Sequence, residues 1–310
     1  MKAIVLAGQD DCRQRDVEIY NAINRKDFLW NTYKPLINVG DGDSYVPLIG
    51  RVLAALDQST SVDHIIVAGL PGLENIIDVC QCRTPVTFVP VRKGNSPVHN
   101  FFSAYGQAGA SGHALVMACD LPLIHETGRE GRTAVDRFVD RCISYGLEHD
   151  LYMGIVCQDQ VGRLGLDRRY FRLVPDHDPG IGRDQDYSIG RRYGFRDASI
   201  FLADGSLDSP LLRKNFGKAA SLRTYPGPWF AAAYFFMRNV LDITNLIVKY
   251  KLGSLGVDEL EHRAPKIFGA SLKFIEIRGG DAAAFALDID IKDDLQKLRE
   301  IAESVHLKHD

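Results

Sequence analysis

Along the first 150 positions, short apolar runs alternate with stretches whose apolar residues recur at helical spacing. The runs at 2–7, 64–68, 87–91 and 114–118 are short, and three are rich in β-branched residues, as buried strands are. Between them, 46–56 and 72–79 read as helices, and 132–145 follows the fourth run as another. The segment 96–108 opens with Ser96-Pro97, a helix cap followed by proline at the first helical position. Strands that alternate with helices imply βαβ units and a mainly parallel sheet. In such sheets ligands bind beyond the carboxyl ends of the strands.

From 151 the pattern loosens. The run 151–157 reads as a strand, and the following 158–222 holds many glycines, prolines and arginines with little periodicity. It reads as an irregular insertion or lid within one domain spanning 1–310, because regular segments resume after it. These are a strand at 231–237, helices at 240–250 and 257–268, and a strand at 273–277. A segment at 283–290 runs into the last strand, and a helix at 291–303 follows. The fold class is therefore α/β, with helices on both faces of a mixed, mainly parallel sheet.

Hydrophobic residues make up 45% and charged residues 25%, so a sizeable core is available. The formal net charge of −3 argues against a nucleic-acid partner, which would need a strong basic field. No window approaches a membrane-spanning apolar run. The N-terminal apolar run is too short for a secretory signal. The six cysteines are scattered, and Cys80-Gln81-Cys82 has neither zinc-site nor thioredoxin-like spacing. The expected setting is a reducing cytoplasm without disulfides.

One stretch poses a chemical question. In Val116-Met117-Ala118-Cys119-Asp120-Leu121-Pro122-Leu123-Ile124 an apolar run ends in one carboxylate and then becomes apolar again. An unpaired buried carboxylate is costly. Asp120 reads either as a turn or cap residue, or as a group projecting into the ligand crevice just past a strand end. Pro122 argues against a helix starting at Asp120.

Four segments carry a resemblance, in order: KAIVLAG at 2–8, KPLINVGDGDSYVPLIGRVLAAL at 34–56, ACDLPLI at 118–124 and ALDIDIKDDLQKL at 286–298. Together they resemble the molybdenum-cofactor guanylyltransferase-like (MobA-like) nucleotidyltransferases, whose fold is of the GT-A type. The resemblance implies transfer of a nucleoside monophosphate from an NTP to a phosphorylated acceptor, with release of pyrophosphate and dependence on Mg²⁺. It also implies the site. Ala7, Gly8 and Arg13 would belong to the loop that cradles the triphosphate, although Gln9 and Asp11 stand where the family usually has glycine. Lys34 would face phosphates as a point charge. Asp120 and Asp290 would share the Mg²⁺, with Asp288 either a supporting group or an alternative ligand. Asn95, Ser96 and Asn100 would lie near the base and ribose, and the first two serve equally well as plain helix caps.

Between Arg163 and Arg196 arginines are frequent, lysine is absent and several aspartates are interspersed. The span reads as a lid for the acceptor's phosphate, or as a solvated or homo-oligomer-forming excursion paired with its own aspartates. Two other functions remain as alternatives. Asp288-Ile289-Asp290 is a D-x-D, which suggests a GT-A glycosyltransferase using a sugar nucleotide. The altered glycine loop suggests a non-catalytic nucleotide- or ligand-binding module of the same fold.

Overall fold

Successive residues of the central strands feed two different cores. In β1 (Lys2–Ala7), Ala3, Val5 and Ala7 point to one face of the sheet and Ile4 to the other. In β2 (His64–Gly69) the same split puts Ile65 and Val67 against Ile66 and Ala68. Such strands are apolar on both faces because helices cover both. The larger core holds α1 (Leu48–Gln58) and α4 (Ala134–Ser144), through Val52, Leu53, Val135 and Phe138. The other is closed by α3 (Pro97–Gln107), which contributes Phe101, Phe102 and Tyr105. The structure is a computed structural model, and it describes residues 1–9, 29, 32–40, 45–107, 109, 111–124, 132–161, 171–173, 193–205, 244–246 and 248–286.

The remaining elements are α2 (Glu74–Val79), β3 (Val86–Pro90), β4 (His113–Ala118), β5 (Leu151–Cys157), α5 (Gln158–Val161), β6 (Phe171–Leu173), β7 (Tyr193–Asp204), α6 (Val257–Phe268), β8 (Leu272–Ile277) and α7 (Gly280–Ala286). The sheet order is β3-β2-β1-β4-β7-β5-β8, with β6 paired to β7. Pairs β1–β2, β1–β4, β2–β3 and β5–β8 are parallel. β7 is antiparallel to β4, β5 and β6. The parallel strands therefore share one carboxyl rim, and the expected α/β, mixed and mainly parallel sheet is what the chain adopts.

Two sequence expectations change. The span 158–222 is not wholly an irregular insertion, because Tyr193–Asp204 is a long strand in the middle of the sheet. Its pattern is hidden by a bulge: the β5 register shifts between Met153 and Ile155, and Ser199 opposite has φ 50°. A buried Arg196 interrupts the apolar run as well. The segment 283–290 does not begin as a strand, since Gly280–Ala286 is helical. Four of those seven residues are alanine, the strongest helix former. The expected strand at 231–237 and helix at 291–303 lie outside the described residues.

The described cysteines form no disulfide with one another, and Cys119, Cys142 and Cys157 are buried. Burial, then the charge of Asp57, pushes the Cys82 thiol up to about 11, which makes it a poor nucleophile. Among the described residues no helix is long and apolar enough to cross a membrane.

The α4 N-terminus is fixed by a capping box. Thr133 accepts from the Asp136 N–H at 3.1 Å, and Asp136 accepts from the Thr133 N–H at 3.2 Å. Ser59 Oγ and the Ser61 N–H also donate to Asp136, at 2.6 and 3.0 Å, which ties the turn after α1 to α4. Burial alone would raise this carboxyl's pKa. The hydrogen bonds from Ser59, Ser61 and Thr133 outweigh burial and hold it at about 2. A depressed folded pKa stabilises the protein above the unfolded value of about 3.9, and the effect is lost as pH falls through the folded value. In urea unfolding, the gap between wild type and Asp136→Asn should narrow by about 2 kcal/mol between pH 5 and pH 2.

Candidate active site

The carboxyl rim of β1 and β4 answers the question raised by Asp120. β4 pairs with β1 up to Leu6 and Ala118, and the Cys119 N–H extends the ladder to Leu6 O at 3.3 Å. Past Asp120, Leu121, Leu123 and Ile124 return to the core. With buried neighbours on both sides, the aspartate cannot withdraw to solvent, and its side chain is 15% exposed. Its charge is met by Lys34, whose Nζ donates to Asp120 Oδ2 at 2.8 Å and whose side chain is 20% exposed. Asp120 Oδ1 takes no hydrogen bond from a described residue.

Lys34 is placed by its neighbours in sequence. Lys34–Leu36 forms a single 3₁₀ turn with Pro35 buried in it. The preceding Tyr33 donates from its hydroxyl to Ala7 O at 3.0 Å and accepts from the Leu70 N–H at 2.9 Å. One phenol thus joins the ends of β1 and β2. Burial raises its pKa, only partly offset by the Leu70 bond, so it stays protonated and keeps donating. Room for it depends on Gly69, where a Cβ would lie 3.2 Å from the Tyr33 hydroxyl and 2.6 Å from Leu73 Cδ2. Downstream, Asn38 Oδ1 accepts from the Gly40 and Val46 N–H groups at 3.0 and 2.9 Å, closing the loop that leads into α1.

Gly8 borders the same rim. A Cβ at this position would stand 2.6 Å from Asn100 Nδ2. Asn100 lies on α3, is 2% exposed, and its Oδ1 has no hydrogen-bond partner among the described residues. The loop after β3 is tied to the loop after β1 by the Gly94 N–H donating to Gln9 O at 2.8 Å. Ser96 Oγ accepts from the His99 N–H at 3.2 Å and so acts as the cap of α3. The Asn95 N–H closes a turn onto Arg92 O at 3.2 Å.

Of the residues expected from sequence, Ala7, Gly8, Lys34, Asp120 and Asn100 gather at the rim of β1 and β4, and Asn95 and Ser96 form the adjoining loop. Arg13, Asp288 and Asp290 lie outside the described residues. Among the described residues no three histidine, cysteine, aspartate or glutamate side chains cluster as a metal site. Tyr33 was missed: its buried hydroxyl needs both a donor and an acceptor, and both are backbone groups at the ends of β1 and β2.

No family model matches the chain, and no curated protein matches it in sequence. Solved structures do match its shape. A hypothetical transferase from Thermus thermophilus superposes with a TM-score of 0.57 at 21% identity, over 95% of this chain and 98% of that one. A CMP:2-keto-3-deoxy-manno-octonic acid synthetase in complex with CTP does so with a TM-score of 0.52 at 12% identity, over 98% of both chains. The fold is the Rossmann-like nucleotidyltransferase fold. In this sheet β7 is the described strand that reverses direction, and Asp120 lies just past the end of β4 beside it.

The contact between Gly8 and Asn100 makes a direct test. Gly8→Ala should destabilise the protein by roughly 1–3 kcal/mol, because the amide is packed and must move. In an Asn100→Ala background the same change should cost less than half as much, as read by chemical denaturation in a double-mutant cycle. Additive costs would show that the two groups do not meet.

Proposed function

We propose that this chain is a nucleotidyltransferase of the MobA-like kind. It would move a nucleoside monophosphate from an NTP to a small phosphorylated acceptor and release pyrophosphate. The observation that carries the reading is the Lys34–Asp120 pair at the carboxyl rim, next to a glycine that lets Asn100 pack against the loop after β1. The CTP named with one matched structure supports a nucleotide as ligand, and the resemblance of four ordered segments supports the chemistry.

Each residue has a task in that reaction. The loop after β1, packed at Gly8 against Asn100, would turn its N–H groups to phosphate oxygens. Lys34 supplies a point charge to the same phosphates. Asn95, Ser96 and Asn100 flank the base and ribose, and Arg13 adds a planar fork for phosphate. Asp120 is suited to Mg²⁺, which takes one or two carboxylates and completes its shell with phosphates and water. Its partly exposed carboxylate, with Oδ1 unbonded by described residues, fits that donor role, and Asp290 with Asp288 would supply the second carboxylate. Bound Mg²⁺ would neutralise the charge that builds on the phosphate oxygens.

The reading is tested by pyrophosphate release from each NTP with Mg²⁺ and a panel of phosphorylated sugars and alcohols. At least one pair should turn over. Asp120→Asn should lower that turnover about 100-fold or more. Its fold should survive with a lowered thermal midpoint, because the isosteric change opens no cavity but removes the charge that meets Lys34. Release of a nucleoside diphosphate from a sugar nucleotide instead would establish the glycosyltransferase reading. Nucleotide binding without any product would establish a binding module.

A further inference from the structure

The pair raises a problem of order. Asp120 is the carboxylate assigned to the cation, yet Lys34 already holds its Oδ2 at 2.8 Å, and both side chains are largely buried. A divalent cation arriving alone would meet a carboxylate whose charge is already matched, with an ammonium a few ångströms away. Repulsion at that range is strong where water is scarce. Drawing Asp120 away from the ammonium would break an ion pair between two largely buried groups, which is costly.

A polyphosphate changes both terms. It offers the ammonium several anionic oxygens, and the four-carbon stem of lysine lets the head move between partners while the backbone stays fixed. Fixed it is, since the Tyr33 hydroxyl is bonded to Ala7 and Leu70, and Pro35 sits in the following turn. Once Lys34 turns to phosphate, both oxygens of Asp120 are open to a cation, Oδ1 being already without a hydrogen bond from any described residue.

We propose that Lys34 is a specificity-determining latch. It withholds Asp120 from free divalent cations and yields it only to a ligand with a di- or triphosphate, so that polyphosphate and cation bind with positive coupling. This rests on the nucleotidyltransferase reading and extends it to ligand choice. A single phosphate has too little charge to compete with the carboxylate, so monophosphates and inorganic phosphate leave the latch closed. Coupling between two ligands is reciprocal: the factor by which polyphosphate tightens the cation is the factor by which the cation tightens polyphosphate.

The test uses the full chain, Mn²⁺ as a paramagnetic probe and inorganic tripolyphosphate, and reads free Mn²⁺ by electron paramagnetic resonance. Wild type should bind Mn²⁺ weakly alone and roughly tenfold or more tightly with tripolyphosphate, and inorganic phosphate should not have this effect. Because tripolyphosphate itself chelates Mn²⁺, the protein-bound fraction is separated by ultrafiltration. Lys34→Gln should bind Mn²⁺ alone about tenfold more tightly than wild type and lose most of the coupling. Asp120→Asn should bind Mn²⁺ weakly with or without Lys34. The wild-type coupling also stands as a test if Lys34→Gln does not fold. Equal Mn²⁺ affinity in wild type and Lys34→Gln, with tripolyphosphate still bound, would overturn the latch and leave the nucleotidyltransferase reading in place. Failure of wild type to bind tripolyphosphate or any NTP would overturn both.

Discussion

A single charge at the end of a buried strand constrains the rest of the site. Asp120 is flanked by Cys119 and Leu121, both in the core, so the backbone cannot turn it outward. The carboxylate needs a cation, and the sequence supplies one from a segment 86 residues away. That requirement fixes where residues 33–36 must lie. Tyr33 meets it by bonding to the ends of two adjacent strands at once, and Gly69 leaves the space that its ring needs. Buried ion pairs add little to stability compared with apolar groups of the same size. On the proposed function, the pair matters more for what it offers a ligand than for what it gives the fold.

Other charged groups in the protein show the contrast. Asp136 is enclosed by Ser59, Ser61 and Thr133, and its acceptor capacity is taken up by the fold. Glu261 pairs with Lys273 at 2.9 Å and also accepts the Phe274 N–H at 2.6 Å, which pins α6 to β8. Arg137 grips both oxygens of Asp281 and joins α4 to α7. In each case a carboxylate is fully engaged by groups that cannot leave without loosening an element. Asp120 instead leans on the tip of one flexible side chain.

Much of this was readable from the chain. The apolar runs at the starts of the parallel strands predicted β1, β2 and β4 nearly to the residue, because strands buried on both faces carry no polar interruptions. The helices were legible through apolar spacing and, at α3, through Ser96-Pro97. β7 was not, because its information lies in its neighbours. Arg196 and Asp197 look like loop chemistry until they are seen paired with Val156 and Ile155 of β5, and the bulge at Ser199 breaks the alternation that a strand should show. At the site, Lys34 and Asp120 could each be named from sequence, but their 2.8 Å contact could not. Tyr33 escaped because a tyrosine's two hydrogen-bond partners, here Ala7 O and Leu70 N–H, are backbone groups that no sequence motif records.

The structure also bears on the altered loop after β1. Glycine can be needed for two separate reasons, an unusual backbone conformation or a close approach. At Gly8 the reason is approach, since Asn100 occupies the place of a side chain and no positive φ occurs there. Gln9 does not have a positive φ either, so its backbone is one that any residue adopts. What position 9 contributes to the rim is its carbonyl, which accepts from Gly94 and binds the loop after β1 to the loop before α3. A side chain at position 9 leaves that bond intact. Glutamine at position 9, where the resemblance implies glycine, therefore preserves the frame that holds Gly8 against Asn100 and Ala7 against Tyr33. The departure from the glycine-rich pattern alters what faces a ligand at position 9 without dismantling the site behind it.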